Sequence, residues 1–265
     1  LFRVGFHTSL VSHFLLLAAL YLIFRPVQYR RVLYWVLLLG AALLIHFYLF
    51  LMVLALWLSA LLDSALLQKS LNKKYVAMEL GVACLFTIIL LWQTGYFLSA
   101  KSFSVENVYG LHALDPLSLF SSNGWSYVLK DIESFNHSYE GFVFLGLGGI
   151  VLFLFSLPIM IDREWLCDVW RRIRRRHIAL FLCCALLLIF AITHSIKLGN
   201  WQYVYSIPPA ILYRLNMIRM SARMFWPLYY LILLLFIYCA VRGYSRRAAQ
   251  VLLGLVFFVQ IIDTS

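Results

Sequence analysis

Three arginines, Arg214, Arg219 and Arg223, crowd into "RLNMIRMSARMFWPLYY", residues 214–230, at the entrance to a long apolar run. Each guanidinium is a planar fork of donors that grips a phosphate through two parallel hydrogen bonds. Arg219 and Arg223 stand four residues apart, so a helix would set both on one face. The chemistry this suggests is capture of a phosphate, as on a lipid-linked substrate. The plainer reading is headgroup anchoring, or pairing with Glu140 or Asp131.

Carboxylates and histidines come next, because proton transfer commonly uses them. Glu140 opens "YEGFVFLGLGG" at the mouth of an apolar run. An ionisable group there usually faces the bundle interior or a cavity. It can position a sugar hydroxyl, act as a base, or pair with an arginine. "LHALDPLSLF" supplies His112 and Asp115, and "KDIESFNHS" supplies Asp131, Glu133 and His137. Glu140 and Asp115 are the catalytic candidates, although Asp before Pro116 also reads as plain turn chemistry. Gly146, Gly148 and Gly149 follow no strand, so they read as close helix packing and not as a dinucleotide fingerprint. The five cysteines show no CxxC or Cys/His spacing. No metal site and no cofactor are expected, and a divalent metal stays open.

These residues must be positioned by a very apolar chain. Of 265 residues 64% are hydrophobic and 12% charged, whereas soluble domains are roughly 45–50% apolar and 25% charged. One soluble core cannot hold that excess. The prediction is an all-α polytopic transmembrane helix bundle with about 7–8 membrane segments. Continuous apolar runs argue against a barrel. The net charge of +11 fits loops that collect Lys and Arg on the cytoplasmic side, and no nucleic acid partner is expected.

Apolar runs fall at about 9–24, 32–62, 75–98, 139–161, 178–193, 224–241 and 248–262. Most of the 22 basic residues lie in the loops 25–31, 66–74, 163–176 and 242–247. Those loops are expected to be cytoplasmic, which puts the three opening arginines on the outer face. The run 32–62 then starts and ends on one side. It crosses an even number of times, re-enters or lies in the interface, with a bend near Gly40 to His46; one long tilted helix is the alternative. Two long outer-face segments, 99–138 and 194–223, mix aromatic and polar residues. Asp63 and Glu79, near cytoplasmic ends, are expected to pair with Lys69, Lys73 or Lys74 or to face water. The run "WRRIRRRH", 170–177, reads as a topology signal in contact with anionic lipid. The chain reads as a single transmembrane domain, 1–265, a piece of a longer protein.

"HTSLVSHFLLLAALYL", "IHFYLFLMVLALWLSALL", "YEGFVFLGLGGIVLF", "RMSARMFWPLYYLILL" and "VQIIDTS" together resemble a family of uncharacterised bacterial multispanning proteins. That family is in turn similar to GT-C-type glycosyltransferases. The Tyr-Glu-Gly-Phe and Ser-x-Arg-x-Phe-Trp-Pro elements are the more specific parts. The resemblance implies an inverting transferase in the bacterial inner membrane. It would use a polyprenyl-phosphate-linked sugar as donor and a cell-envelope glycan or lipid as acceptor, and would work at the outer face. It implies donor phosphate binding by Arg219 and Arg223 and a cavity role for Glu140; Arg214, from its place beside them, is the candidate to assist. The usual catalytic carboxylate is expected outside this stretch of chain. A lipid-linked glycan transporter or flippase, and a non-catalytic scaffold, are the alternatives.

Overall fold

The computed structural model describes residues 11–26, 30–99, 109–131, 143–216 and 218–264. The helices are α1 (Phe14–Phe24), α2 (Arg31–Ile45), α3 (Phe47–Leu62), α4 (Lys73–Gln93), α5 (Gly146–Ile161), α6 (Arg163–Arg176), α7 (Ile178–Ile192), α8 (Pro209–Leu215), α9 (Trp226–Gly243) and α10 (Arg246–Thr264). A two-stranded antiparallel sheet, β1 (Ser195–Leu198) and β2 (Trp201–Val204), stands between α7 and α8. The chain forms two compact units, 1–104 with 171–186, and 105–170 with 187–265.

In the first unit the run 32–62 is broken at His46, whose backbone is extended (φ −162°, ψ 127°). Its Nδ1 accepts the Tyr48 N–H at 3.1 Å, which caps the new helix. The chain then turns back. Arg31, at the start of α2, donates from Nη1 to the Ser64 hydroxyl just beyond the end of α3, at 3.2 Å. The run is therefore a helical hairpin with His46 at its tip, and the single tilted helix is excluded. Both arms bury large side chains, among them Trp35, Leu39, Met52, Leu56 and Trp57. Gly40 lets α4 approach, because a Cβ there would stand 2.7 Å from the Phe86 ring.

In the second unit α10 packs antiparallel to α5 and α9, which run side by side in the same direction, around Leu152, Phe236, Ala240 and Val256. The glycines of "GLGG" serve this packing. A Cβ on Gly148 would lie 2.9 Å from the Gln260 Cβ, and the Gly148 N–H donates to Gln260 Oε1 at 3.0 Å. Segment 194–223 is no loop. It holds the hairpin, α8 and a 3-10 turn, Ser221–Phe225.

Among the described residues three helical stretches are long and apolar enough to cross a membrane: Phe47–Leu67, Lys73–Gln93 and Ser221–Gly243. A fourth counts if α5 and α6, bent by 94° at Asp162, make one span. The expectation of 7–8 segments is corrected. Helices α1, α2 and α7 have 11, 15 and 15 residues, whereas a span of about 30 Å needs roughly 20. In α10 the apolar run is diluted by Arg246, Arg247, Gln250, Gln260 and Asp263.

Candidate functional site

The three arginines do not share a helix face. Arg214 lies in the last turn of α8 and is exposed. Arg219 is exposed and lies outside any helix, because Met220 (φ −101°, ψ 65°) interrupts the turn. Arg223 sits inside the 3-10 turn and is only 5% exposed. The i,i+4 expectation is thus corrected: the short turn starts at Ser221, too late to include Arg219. Arg223 is held where the 23-residue stretch Ser221–Gly243 begins. The turn is tied to another segment, since the Ala222 N–H and the Ser221 hydroxyl both donate to the His112 carbonyl at 3.2 Å.

Asp115 is a structural residue. Its Oδ1 accepts the Leu117 N–H at 2.9 Å and caps the turn Pro116–Leu119. Its Oδ2 accepts the Gly199 N–H at 2.8 Å, fixing the tip of the β1–β2 hairpin. Each oxygen thus accepts one backbone N–H, which is the turn chemistry that Asp before Pro116 suggested. Asp131 is similar, with Oδ1 accepting the Gly124 N–H at 2.9 Å. Glu140, Glu133 and His137 lie outside the described residues.

Sequence reasoning missed a carboxylate that the fold makes conspicuous. Asp263, near the end of α10, is 3% exposed. Its Oδ1 accepts from the Ser126 hydroxyl at 2.7 Å and from the Tyr127 and Val128 N–H groups at 3.1 and 3.2 Å. Its Oδ2 is buried without a hydrogen-bond partner among the described residues. Buried polar atoms are nearly always paired, so an open carboxylate oxygen calls for a physical account. Because α9 and α10 are antiparallel neighbours, Asp263 and Arg223 stand at the same end of the bundle. The signal was present in "VQIIDTS", an acid closing an apolar run.

The same end carries an aromatic cluster. Tyr109 and His194 stack at 5.7 Å, and Tyr205 meets His194 edge-on at 6.3 Å. Burial first, and the neighbouring Tyr205 second, push the Tyr109 phenol up to about 12. It therefore keeps its proton and donates to the Phe190 carbonyl at 3.2 Å.

In the first unit the acids are buried and do not pair with lysines. Glu79, fully buried, receives Arg31 Nε at 3.0 Å and the Trp57 indole N–H at 2.9 Å. Asp63 accepts the Ala179 and Leu180 N–H groups at 2.8 and 3.1 Å, so it caps α7 from a distant element. Each correction has its own cause. The hairpin brings Arg31 to Glu79, and a helix N-terminus favours a carboxylate over water. A groove of about 750 Å³ beside them is lined by Arg30, Leu33, Val36, Asn72, Tyr75 and Val82, among others. Among the described residues no group of His, Cys, Asp and Glu is arranged to hold a metal.

Long apolar helices, with charged residues buried between them, place the chain in the class of helical membrane proteins. It belongs to the family described as Domain of unknown function (DUF6311), whose model matches residues 1–265. No curated protein and no solved structure matches the chain.

Proposed function

We propose that this chain is the core of a GT-C-like glycosyltransferase, multi-pass in the bacterial inner membrane. It moves a sugar from a polyprenyl-phosphate donor to a cell-envelope glycan or lipid at the outer face. The observation that carries this reading is the pair of buried charged groups at one end of the second unit. Arg223 is a buried fork donor at the head of an apolar stretch, and Asp263 has one open carboxylate oxygen. Arg223 holds the donor phosphate, and exposed Arg219 and Arg214 draw it in. The acceptor hydroxyl attacks the sugar C1, the C1–O bond to phosphate breaks, and the hydroxyl proton passes to Asp263 Oδ2. The negative phosphate leaves against Arg223. A cavity role for Glu140 completes the reading.

The test uses the complete protein and an undecaprenyl-phosphate-linked sugar. A hydrogen bond to a charged group contributes about 1.5–3 kcal/mol, so Arg223→Ala weakens donor binding by roughly 10- to 150-fold and Arg223→Lys by less. Unchanged binding in a folded Arg223→Ala protein sinks the phosphate assignment. A lipid-linked glycan flippase is the second reading, favoured by the helix break at His46. Movement of the lipid-linked glycan across proteoliposomes, without sugar transfer, would select it.

A further inference from the structure

We propose that α6 lies in the plane of the membrane surface and binds anionic phospholipid there. Arg163–Arg176 contains six arginines against Glu164 and Asp168. At 100° per residue its apolar side chains, Trp165, Leu166, Val169, Trp170 and Ile173, gather in an arc of roughly 140°. Most of the charges fill the other side. Trp165, Val169 and Ile173 are half-buried, whereas Leu166 and Trp170 are 46% and 51% exposed. The exposed edge of the apolar arc therefore borders Arg163 and Arg174. That is the composition of an interfacial helix, with aromatic and aliphatic groups entering the acyl boundary and arginines at phosphate depth.

Geometry supports the same orientation. The apolar helix α5 ends at Ile161 and α6 starts at Arg163, turned by 94°. The bend has a local cause, since Asp162 is extended and its Oδ1 accepts the Glu164 N–H at 3.0 Å. If α5 runs into the bilayer, α6 runs along it. Six guanidinium groups in 14 residues would repel one another beside a neutral surface, so the matching partner is a lipid of net negative charge.

The full chain, reconstituted in nanodiscs of equal phosphatidylglycerol and phosphatidylcholine, decides the matter. Cys84 and Cys167, both exposed, are first replaced by Ser, and a bimane is placed through Leu166→Cys or Arg171→Cys, the latter opposite the apolar arc. Acyl-brominated lipid is expected to quench the label at 166 and not at 171. Equal quenching, or none at either position, overturns the in-plane orientation. In a second arm, native mass spectrometry compares the two lipids retained by the protein. Arg171→Gln, Arg174→Gln and Arg175→Gln together should lower the preference for phosphatidylglycerol, by roughly fivefold for each arginine. The matching Lys variants should keep it and report correct folding. A preference unchanged in the Gln protein, or lost equally in the Lys protein, overturns recognition by charge.

Discussion

Replacing Glu79 by Gln should destabilise the first unit severely, and the buried cluster says by how much. The Glu79 side chain is fully buried and the Arg31 side chain is 8% exposed. Gln keeps the volume and an oxygen for the Trp57 indole, so the change is close to the removal of one charge. Arg31 is then a buried cation without its counter-ion, which costs about 3–5 kcal/mol. At roughly 2–4 °C per kcal/mol for a chain of this size, the melting temperature should fall by roughly 6–20 °C. The double variant Arg31→Leu, Glu79→Leu removes both charges and leaves the Trp57 N–H unpaired, a cost of about 1–3 kcal/mol. It should therefore melt between wild type and the single variant. Thermal unfolding of the full protein in detergent, followed by tryptophan fluorescence, reads all three. If the double variant is no more stable than Glu79→Gln, or if Glu79→Gln melts with wild type, the ion pair does not hold these helices.

Other outcomes follow from the same geometry. Asp115→Asn loses one of two N–H acceptors and should cost about 1–3 kcal/mol in a thermal melt, while donor-lipid binding measured well below the transition stays intact. Gly148→Ala drives a Cβ to 2.9 Å from the Gln260 Cβ and should cost about 1–3 kcal/mol. Gly81→Ala has open space and should be neutral or gain up to about 1 kcal/mol of helix propensity; a melt of each separates packing from composition. His177 gives a pH signature. Burial, reinforced by the Arg176 charge and opposed by Asp63, holds its imidazole below the usual histidine range. The unfolded chain then takes up the proton first, so stability should fall as pH drops through about 6.5. His177→Gln should flatten that part of the pH–melting curve.

The sequence was most readable where one physical cause acts alone. Basic loops at both ends of 32–62 demanded an even path, and His46 was within the region expected to bend. Gly148 announced close packing and Asp115-Pro116 a turn, and both are seen. Reading failed where distant residues decide. Glu79 could not be matched to Arg31 without the hairpin, and Asp63 without the start of α7. The missed hairpin had a local signal, Gly199-Asn200 between Leu198 and Trp201, with Gly199 at φ +61°. A two-residue Gly-Asn link of that kind favours a tight β-turn, but the mixed aromatic and polar residues around it show no clean strand alternation. Span number failed because hydropathy sees composition and not where a helix stops.

The first unit is completed by residues 171–186, far from its other part in the chain. Asp63 waits for Ala179 and Leu180, separated from it by 116 and 117 positions. At a synthesis rate of about 5–20 residues per second, the carboxylate has left the ribosome's active centre roughly 6–23 s before its partners are made. Through that interval α1, α2 and α3 can be inserted but lack the contact to α7. Premature termination before α7 would leave a buried acid with no donor, which makes the nascent chain a marked substrate for membrane quality control.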